Sequence, residues 1–284
     1  MSEARRAAVL GQPVAHSLSP ALHRAAYAEL GLTNWTYERH EVSEAEFPAF
    51  LAGLDSSWVG LSVTMPLKQV ALRSVDHVEP LAEVVGSVNT VLLSGGGVRV
   101  GTNTDVYGVV TALQEVAGDN WNPRTGTVLG GGATAAAALA ALGQLGINAP
   151  TVVVRSTGRA GTVVRAAARM GLSPVLRTWG TAAADAALTG ADVVISTVPR
   201  GAADDLANLV RQTGPGPTQV LLDVVYDGWP TPLARAWSRR GAPVAGGHLM
   251  LLHQGVEQVR LMTGHSAPVA AMRSALQDAL TGVV

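Results

Sequence analysis

Apolar and polar positions along this chain fall into short runs whose period keeps switching between that of a strand and that of a helix. Residues 6–10, Arg-Ala-Ala-Val-Leu, read as a strand that Gly11-Gln12-Pro13 ends. Ser19 then stands at an N-cap position with Pro20 in the first turn, predicting a helix to about Leu30 that closes on Gly31. Trp35–His40 alternates as a strand, a capped helix runs from Ser43 to about Ala52, and Trp58–Val63 is a strand ending at Thr64-Met65-Pro66. Short helices follow to about Val85, with strands near Val88–Leu93 and Val98–Gly101 and a helix from about Thr104 to Val116. The β-α-β-α-β order predicts a mostly parallel sheet with helices on its faces.

Beyond the polar turn 118–124 the alternation becomes regular. Strands are predicted at 127–129, 151–154, 174–177, 192–197 and 219–224, with helices at 134–145, 159–170, 181–188, 203–212 and 231–240. This is the pattern of a doubly wound, Rossmann-like unit. Two last helices, near His248–Met262 and Ala267–Leu280, exceed what that unit needs and are assigned to the first domain. The fold class is therefore α/β in two domains, residues 1–105 plus 246–284 and residues 106–245.

Composition narrows the function classes. Of 284 residues, 48% are hydrophobic and only 14% charged, so a large core forms and few charges remain to cluster. The formal net charge of −1 gives no electrostatic case for nucleic acid or an anionic membrane. Cysteine is absent, which excludes disulfides, thiolate nucleophiles and Cys-ligated metals. The seven histidines show no ligand spacing such as H-E-x-x-H, and no metal is expected. The N-terminus leads into a short strand rather than a signal core, and the apolar run 133–142 is too short to span a bilayer. A soluble, cytoplasmic protein is expected, a monomer or homodimer acting on a small molecule.

The most informative stretch is Thr127-Val-Leu-Gly-Gly-Gly-Ala-Thr-Ala-Ala-Ala137, a strand, a tight turn and a helix start. Gly130, Gly132 and Ala135 stand where a dinucleotide fold places its G-x-G-x-x-G/A residues. The intervening Gly131, Ala133 and Thr134 would bring backbone N–H groups to a pyrophosphate, which the helix dipole favours. A ligand-free Gly-rich turn is the plain alternative. At the end of the next strand an NAD enzyme carries an acid for the ribose hydroxyl. Here Val154-Arg155-Ser156-Thr157-Gly158-Arg159 has none, and Arg155 and Arg159 suit a 2′-phosphate instead. The preferred cofactor is NADP.

Four stretches of the first domain join small polar residues to breaks in apolar runs: His16–Pro20, Ser62–Lys68, Gly86–Thr90 and Gly101–Asp105. Each lies where a strand ends or a helix begins, the usual place for a ligand in an α/β sheet. Hydroxyls and amides without clustered charge suit a polyhydroxylated molecule, and Lys68 with Asp105 can form a proton-handling pair. Taken singly, each has a structural reading: Ser19 a helix cap, Asn89-Thr90 a turn, Asp105 a first-turn acid, Lys68 a surface lysine.

Together the motifs resemble the shikimate 5-dehydrogenase family over nearly the whole chain and in the right order. Gly11–His23 looks like the family's serine motif, Ser62–Lys68 like its N-V-T-x-P-x-K, and Gly86–Thr90 and Asn103–Asp105 like its G-A-x-N-T and N-T-D. Val154–Arg159 looks like N-R-T-x-x-R. Asp223–Tyr226 with Thr231-Pro232-Leu233 looks like D-x-x-Y…T-P-L, and Gly247–Gln254 like G-x-x-M-L-x-x-Q.

The resemblance implies reversible, NADPH-dependent reduction of 3-dehydroshikimate to shikimate. By position, Ser17, Ser19, Thr64, Asn89, Tyr226 and Gln254 would hold the substrate, and Lys68 and Asp105 would flank the reacting oxygen. Gly247 and Met250 would border the nicotinamide, with Val224 and Thr197 lining its approach. Departures from the family pattern are Ser62 for Asn, Ser87 for Ala, Ala133 for Gly, Ala136 for Arg and Val154 for Asn; none touches the Lys68–Asp105 pair. Rival readings are a quinate or aminoshikimate dehydrogenase and a catalytically silent nucleotide-binding module. A methylene-folate dehydrogenase lacks support from the serine and N-T-D motifs.

Overall fold

In the computed structural model, which describes residues 3–94 and 96–282, the chain divides into two compact units. One comprises the residues up to Thr104 and those from Gln254 onward; the other is Asp105–His253.

The first unit opens with β1 (Arg5–Gly11), α1 (Ser19–Glu29), β2 (Trp35–Glu41), α2 (Phe47–Ala52) and β3 (Trp58–Val63). It continues with α3 (Lys68–Ser74), β4 (His77–Val78), α4 (Pro80–Val85), β5 (Thr90–Leu93) and β6 (Arg99–Thr102). The six strands form one sheet in the order β2-β1-β3-β5-β6-β4. The sheet is mostly parallel, as expected, with one reversed strand. β5 runs antiparallel to both β3 and β6, because the chain after Leu93 returns through a short connection with no room for a crossover helix. Leu10, Phe47, Leu51, Leu61, Leu67 and Val91 build the core against one face.

Helix starts differ from the sequence reading in instructive ways. Ser19 lies inside α1, with Leu18 at the N-cap and no side-chain cap. Ser43 does not begin α2; its N–H and hydroxyl both donate to Glu46 Oε2, at 2.9 and 2.6 Å, and the helix starts at Phe47. In both places a hydroxyl that looked like a cap is spent on a preceding loop.

The second unit begins with α5 (Asp105–Ala117), β7 (Gly126–Leu129), α6 (Ala133–Gln144), β8 (Thr151–Val154), a 3₁₀ turn at Thr157–Arg159 and α7 (Gly161–Arg169). It continues through β9 (Val175–Thr178), α8 (Ala182–Gly190), β10 (Val193–Ser196), α9 (Leu206–Thr213), β11 (Val220–Asp223), α10 (Pro232–Ser238) and β12 (Val244–Gly246). All six strands are parallel, in the order β12-β11-β10-β7-β8-β9. This is the Rossmann-like arrangement, with order reversing at β7 beside the glycine turn. Leu129, Val194, Leu221 and Trp237 lie in its core, and Trp237 Nε1 donates to the Gln219 carbonyl at 3.1 Å.

The chain ends with α11 (Gly247–Thr263) and α12 (Val269–Thr281); the division between units falls inside α11 at His253/Gln254. Within the first unit α12 packs on α1, and Met262 of α11 lies over Gly60 of β3, where any Cβ would collide with it. Among the described residues no helix is long and apolar enough to cross a membrane.

Candidate active site

In the first unit the predicted substrate residues lie at the ends of strands and the starts of helices. Ser17 sits in the loop after β1, held by Arg39, whose Nε and Nη2 donate to the Ser17 carbonyl at 2.9 and 2.6 Å. The Ser17 hydroxyl accepts from the Ser19 N–H and donates to Ser19 Oγ, each at 3.3 Å. Thr64 follows β3, its N–H donating to the Leu10 carbonyl at 2.9 Å and its methyl lying where a Cβ on Gly11 would stand. Only glycine fits there. Lys68 is the first residue of α3, half-buried, and its carbonyl accepts from the Val88 N–H at 3.0 Å.

Asn89 is 2% exposed and precedes β5. Its Oδ1 accepts from the Thr104 N–H and Thr90 Oγ1, both at 2.8 Å, while its Nδ2 donates to Thr104 Oγ1 at 3.0 Å. Thr104 Oγ1 in turn donates to Gln254 Oε1 at 3.5 Å. Ser17 and Ser19 are thus paired, as are Asn89 and Gln254 through Thr104. Asn103 Nδ2 donates to the carbonyl and hydroxyl of Ser87, at 2.8 and 3.1 Å. A serine at that position therefore adds a bond an alanine lacks.

Sequence reasoning missed the residues that join these groups. Tyr37, fully buried on β2, donates to Ser62 Oγ at 2.5 Å, and Ser62 donates to Gln258 Oε1 at 2.7 Å. Ser62, which stands where the family pattern has Asn, is buried and bonded on both sides. Burial pushes the phenols of Tyr37 and Tyr27 well above the ordinary tyrosine range. His23 is fully buried and lowered to about 3 by desolvation, against which its hydrogen bond to Gln258 works. Tyr37 alternates with polar neighbours like any strand residue, and Gln258 is one polar residue among several on its helix. Their burial needs the tertiary structure to be seen.

In the second unit Asp105 is 5% exposed and begins α5, where the helix dipole favours a carboxylate. The glycine turn follows β7. Gly130 has φ +119°, and a Cβ there would meet Thr197 Oγ1, which donates to the Leu129 carbonyl at 2.8 Å. Gly131 continues the turn, and Gly132 is the N-cap of the twelve-residue α6, with no side chain capping it and open space where its Cβ would be. Ala133 and Thr134 form the first turn of α6; Ala136 is fully buried. Arg155 and Ser156 are exposed just beyond β8, while Val154 is buried at its end. Arg159 closes the 3₁₀ turn, and its side chain lies outside the described residues.

Val224, Tyr226, Gly247 and Met250 belong to one corner of this unit. Val224 N–H donates to the Ser196 carbonyl at 3.0 Å, Gly247 N–H donates to the Val225 carbonyl at 3.3 Å, and the Val224 carbonyl leaves no room for a Cβ on Gly247. Tyr226 is half-buried, its phenol raised by desolvation and secondarily by Asp227. Beneath it, burial raises the Asp223 carboxyl, opposed by bonds from Thr231 Oγ1 at 2.7 Å and the Val225 N–H at 3.3 Å. Thr231 also caps α10, accepting from the Ala234 N–H at 3.1 Å. Asp223 thereby fixes the loop that carries Tyr226.

Residues 9–91 match the family described as the shikimate dehydrogenase substrate binding domain, and residues 247–277 match the shikimate 5'-dehydrogenase C-terminal domain. A shikimate dehydrogenase (NADP(+)) of Rubrobacter xylanophilus is 38% identical over 273 residues, 94% of each chain. The chain belongs to the shikimate dehydrogenase family. Among solved shikimate dehydrogenases, that of Mycobacterium tuberculosis has a TM-score of 0.86 at 42% identity, covering 96% of this chain and 99% of its own. The shikimate 5-dehydrogenase of Thermus thermophilus, solved in complex with NADP(H) and shikimate, has a TM-score of 0.82 at 32% identity, covering 97% and 99%.

The residues present fit a dinucleotide phosphate. An uncapped helix N-terminus, an open glycine at the cap and a second glycine whose backbone no L side chain could follow make an unobstructed cradle for a diphosphate. No acid follows β8, where an exposed arginine stands.

Proposed function

We propose that this chain catalyses the NADP-dependent, reversible reduction of 3-dehydroshikimate to shikimate in aromatic amino-acid (chorismate) biosynthesis, as a cytoplasmic monomer or homodimer. Residues 1–105 and 246–284 are the substrate and catalytic domain, and residues 106–245 bind NADP. The observation that carries this is the grouping of Ser17, Ser19, Asn89 and Gln254 in the first unit, hydroxyls and amides held in hydrogen bonds, in a chain whose second unit has the glycine turn and open helix start of a dinucleotide fold.

Bound NADPH supplies a hydride to the carbonyl carbon. Negative charge then builds on the carbonyl oxygen; the Lys68 ammonium stabilises it and its Nζ delivers the proton. Asp105 orients Lys68 and a substrate hydroxyl, a positioning effect that can itself be a large part of the rate. Ser17, Ser19, Thr64, Asn89, Tyr226 and Gln254 hold the hydroxyls and carboxylate. Gly130, Gly131, Gly132, Ala133 and Thr134 hold the pyrophosphate, and Arg155, Ser156 and Arg159 the ribose 2′-phosphate. Thr197, Val224, Gly247 and Met250 shape the nicotinamide side.

The test is the absorbance of reduced nicotinamide formed from NADP+ with shikimate, with quinate and with neither, repeated with NAD+. NADP-specific turnover of shikimate alone supports the proposal. Preference for quinate or NAD+ transfers the chain to the paralogue reading, and tight NADPH binding without turnover to the silent module.

A further inference from the structure

The loop between β1 and α1 carries Ser17 and is gripped by a side chain from the edge of the sheet. β2 is an edge strand of the first unit, and Arg39 lies opposite Val9 of β1, two positions before β2 ends. Alternation puts Arg39 on the same face of β2 as Tyr37, which stacks on His23 of α1 with ring centroids 3.9 Å apart. From that face the guanidinium turns its Nε–Nη2 edge to a single acceptor. Both N–H groups donate to the Ser17 carbonyl, at 2.9 and 2.6 Å. Arg24, within α1, makes one bond of the same kind away from the loop: its Nε donates to the Tyr37 carbonyl at 3.0 Å. Both arginines are exposed.

Ser17 needs such a hold. Its hydroxyl accepts from the Ser19 N–H and donates to Ser19 Oγ, but each contact is 3.3 Å long. A well-formed O–H···O bond is about 2.7–2.8 Å, so the pair by itself orients Ser17 only loosely. Ser19 is fixed as the first residue of α1 and is 5% exposed. Ser17 precedes that helix on a loop, where its N–H donates to the Val14 carbonyl at 3.0 Å. Two N–H groups of a planar fork on one oxygen hold the plane of the Ser17–Leu18 peptide, and with it the direction of the Ser17 Cα–Cβ bond. An ammonium group carries the same charge but has no fixed fork.

We propose that Arg39 is a positioning residue for the substrate. It acts through Ser17: its fork holds the Ser17 hydroxyl beside that of Ser19 before the substrate arrives. Without the fork the loop samples other orientations, and affinity falls in proportion to the time the two hydroxyls are in place together. This inference deepens the proposed function and rests on its reading that Ser17 and Ser19 hold the substrate.

The experiment measures steady-state kinetics with shikimate, NADPH titrations and thermal melts for the wild type, Arg39→Ala, Arg39→Lys, Arg24→Ala, Ser17→Ala and the Arg39→Ala/Ser17→Ala double variant. Arg39→Ala should raise KM for shikimate about tenfold, the effect of a loop correctly placed about one-tenth of the time. Arg39→Lys should recover part of this and leave KM about threefold above the wild type, since charge returns without the fork. Turnover should stay within about twofold, with NADPH affinity and melting temperature close to wild type. Arg24→Ala should leave KM unchanged. The double variant should bind shikimate no worse than Ser17→Ala alone, since Arg39 acts through Ser17. An unchanged KM in Arg39→Ala, full recovery in Arg39→Lys, or penalties that multiply in the double variant would each overturn the proposal. A purely structural role would lower melting temperature and turnover together, and Arg24→Ala would reproduce it. A wild type that turns over no shikimate, or a Ser17→Ala variant with wild-type KM, would instead sink the parent reading.

Discussion

Thr197 Oγ1 stands where a Cβ on Gly130 would be, and donates to the Leu129 carbonyl at 2.8 Å. The turn after β7 is thus closed on one side by a threonine from the end of β10 and open on the other at Gly132. The two glycines should respond differently to substitution. Gly130→Ala meets both the collision and a φ of +119°, and should cost about 2–4 kcal/mol of stability. Gly132→Ala meets nothing within 4 Å at φ −91°, so the fold should be unaffected while NADPH binding weakens about tenfold. Melts without cofactor, followed by fluorescence titration with NADPH, separate the two. Equal melting temperatures would mean that the turn is not strained as described.

Arg155 is exposed beyond β8 with no acid nearby in sequence. Hydrogen bonds to a charged phosphate are worth roughly 1.5–3 kcal/mol each. Arg155→Ala should therefore weaken NADPH by about one to two orders of magnitude and leave NADH almost unchanged. Parallel titrations of both cofactors decide this, and an unchanged ratio would remove Arg155 from the 2′-phosphate site.

Lys68→Ala should lower turnover by about two to four orders of magnitude, the usual scale of a lost acid–base group. NADPH affinity and the melting temperature should stay close to wild type, since Lys68 begins a short helix and is only half-buried. A parallel loss of cofactor binding would point to misfolding rather than chemistry.

How much of this was legible in the sequence depends on the element. The parallel sheet of the second unit was, because short apolar runs rich in Val, Leu and Thr alternate there with helical segments. β4 and β12 were not, being two and three residues long with no pattern to detect. The antiparallel β5 was missed because its direction is set by the connection to β6, not by its own residues. Ser17, Ser19, Asn89 and Gln254 announce themselves in loops and motifs. Tyr37, His23 and Gln258 do not, because a residue's burial against a partner far along the chain leaves no local pattern; Ser62 and Gln258 are 196 positions apart.

His23 supplies a pH dependence of defined sign. Desolvation lowers its folded pKa to about 3 from the 6.5 of an exposed histidine. Below pH 6.5 the unfolded chain takes up a proton that the folded chain refuses. The stability contributed by neutral His23 is thus fully present above pH 6.5 and lost as the pH falls toward 3. The slope is about 1.4 kcal/mol per pH unit, so going from pH 7 to pH 5 costs about 2 kcal/mol. His23→Gln should be less stable at pH 7, having lost the stacking on Tyr37, but should lack this slope. Urea midpoints of both proteins at pH 7 and pH 5 measure the difference. If the two fall in parallel, the imidazole takes up its proton as readily in the folded chain as in the unfolded one, and burial does not hold His23 neutral.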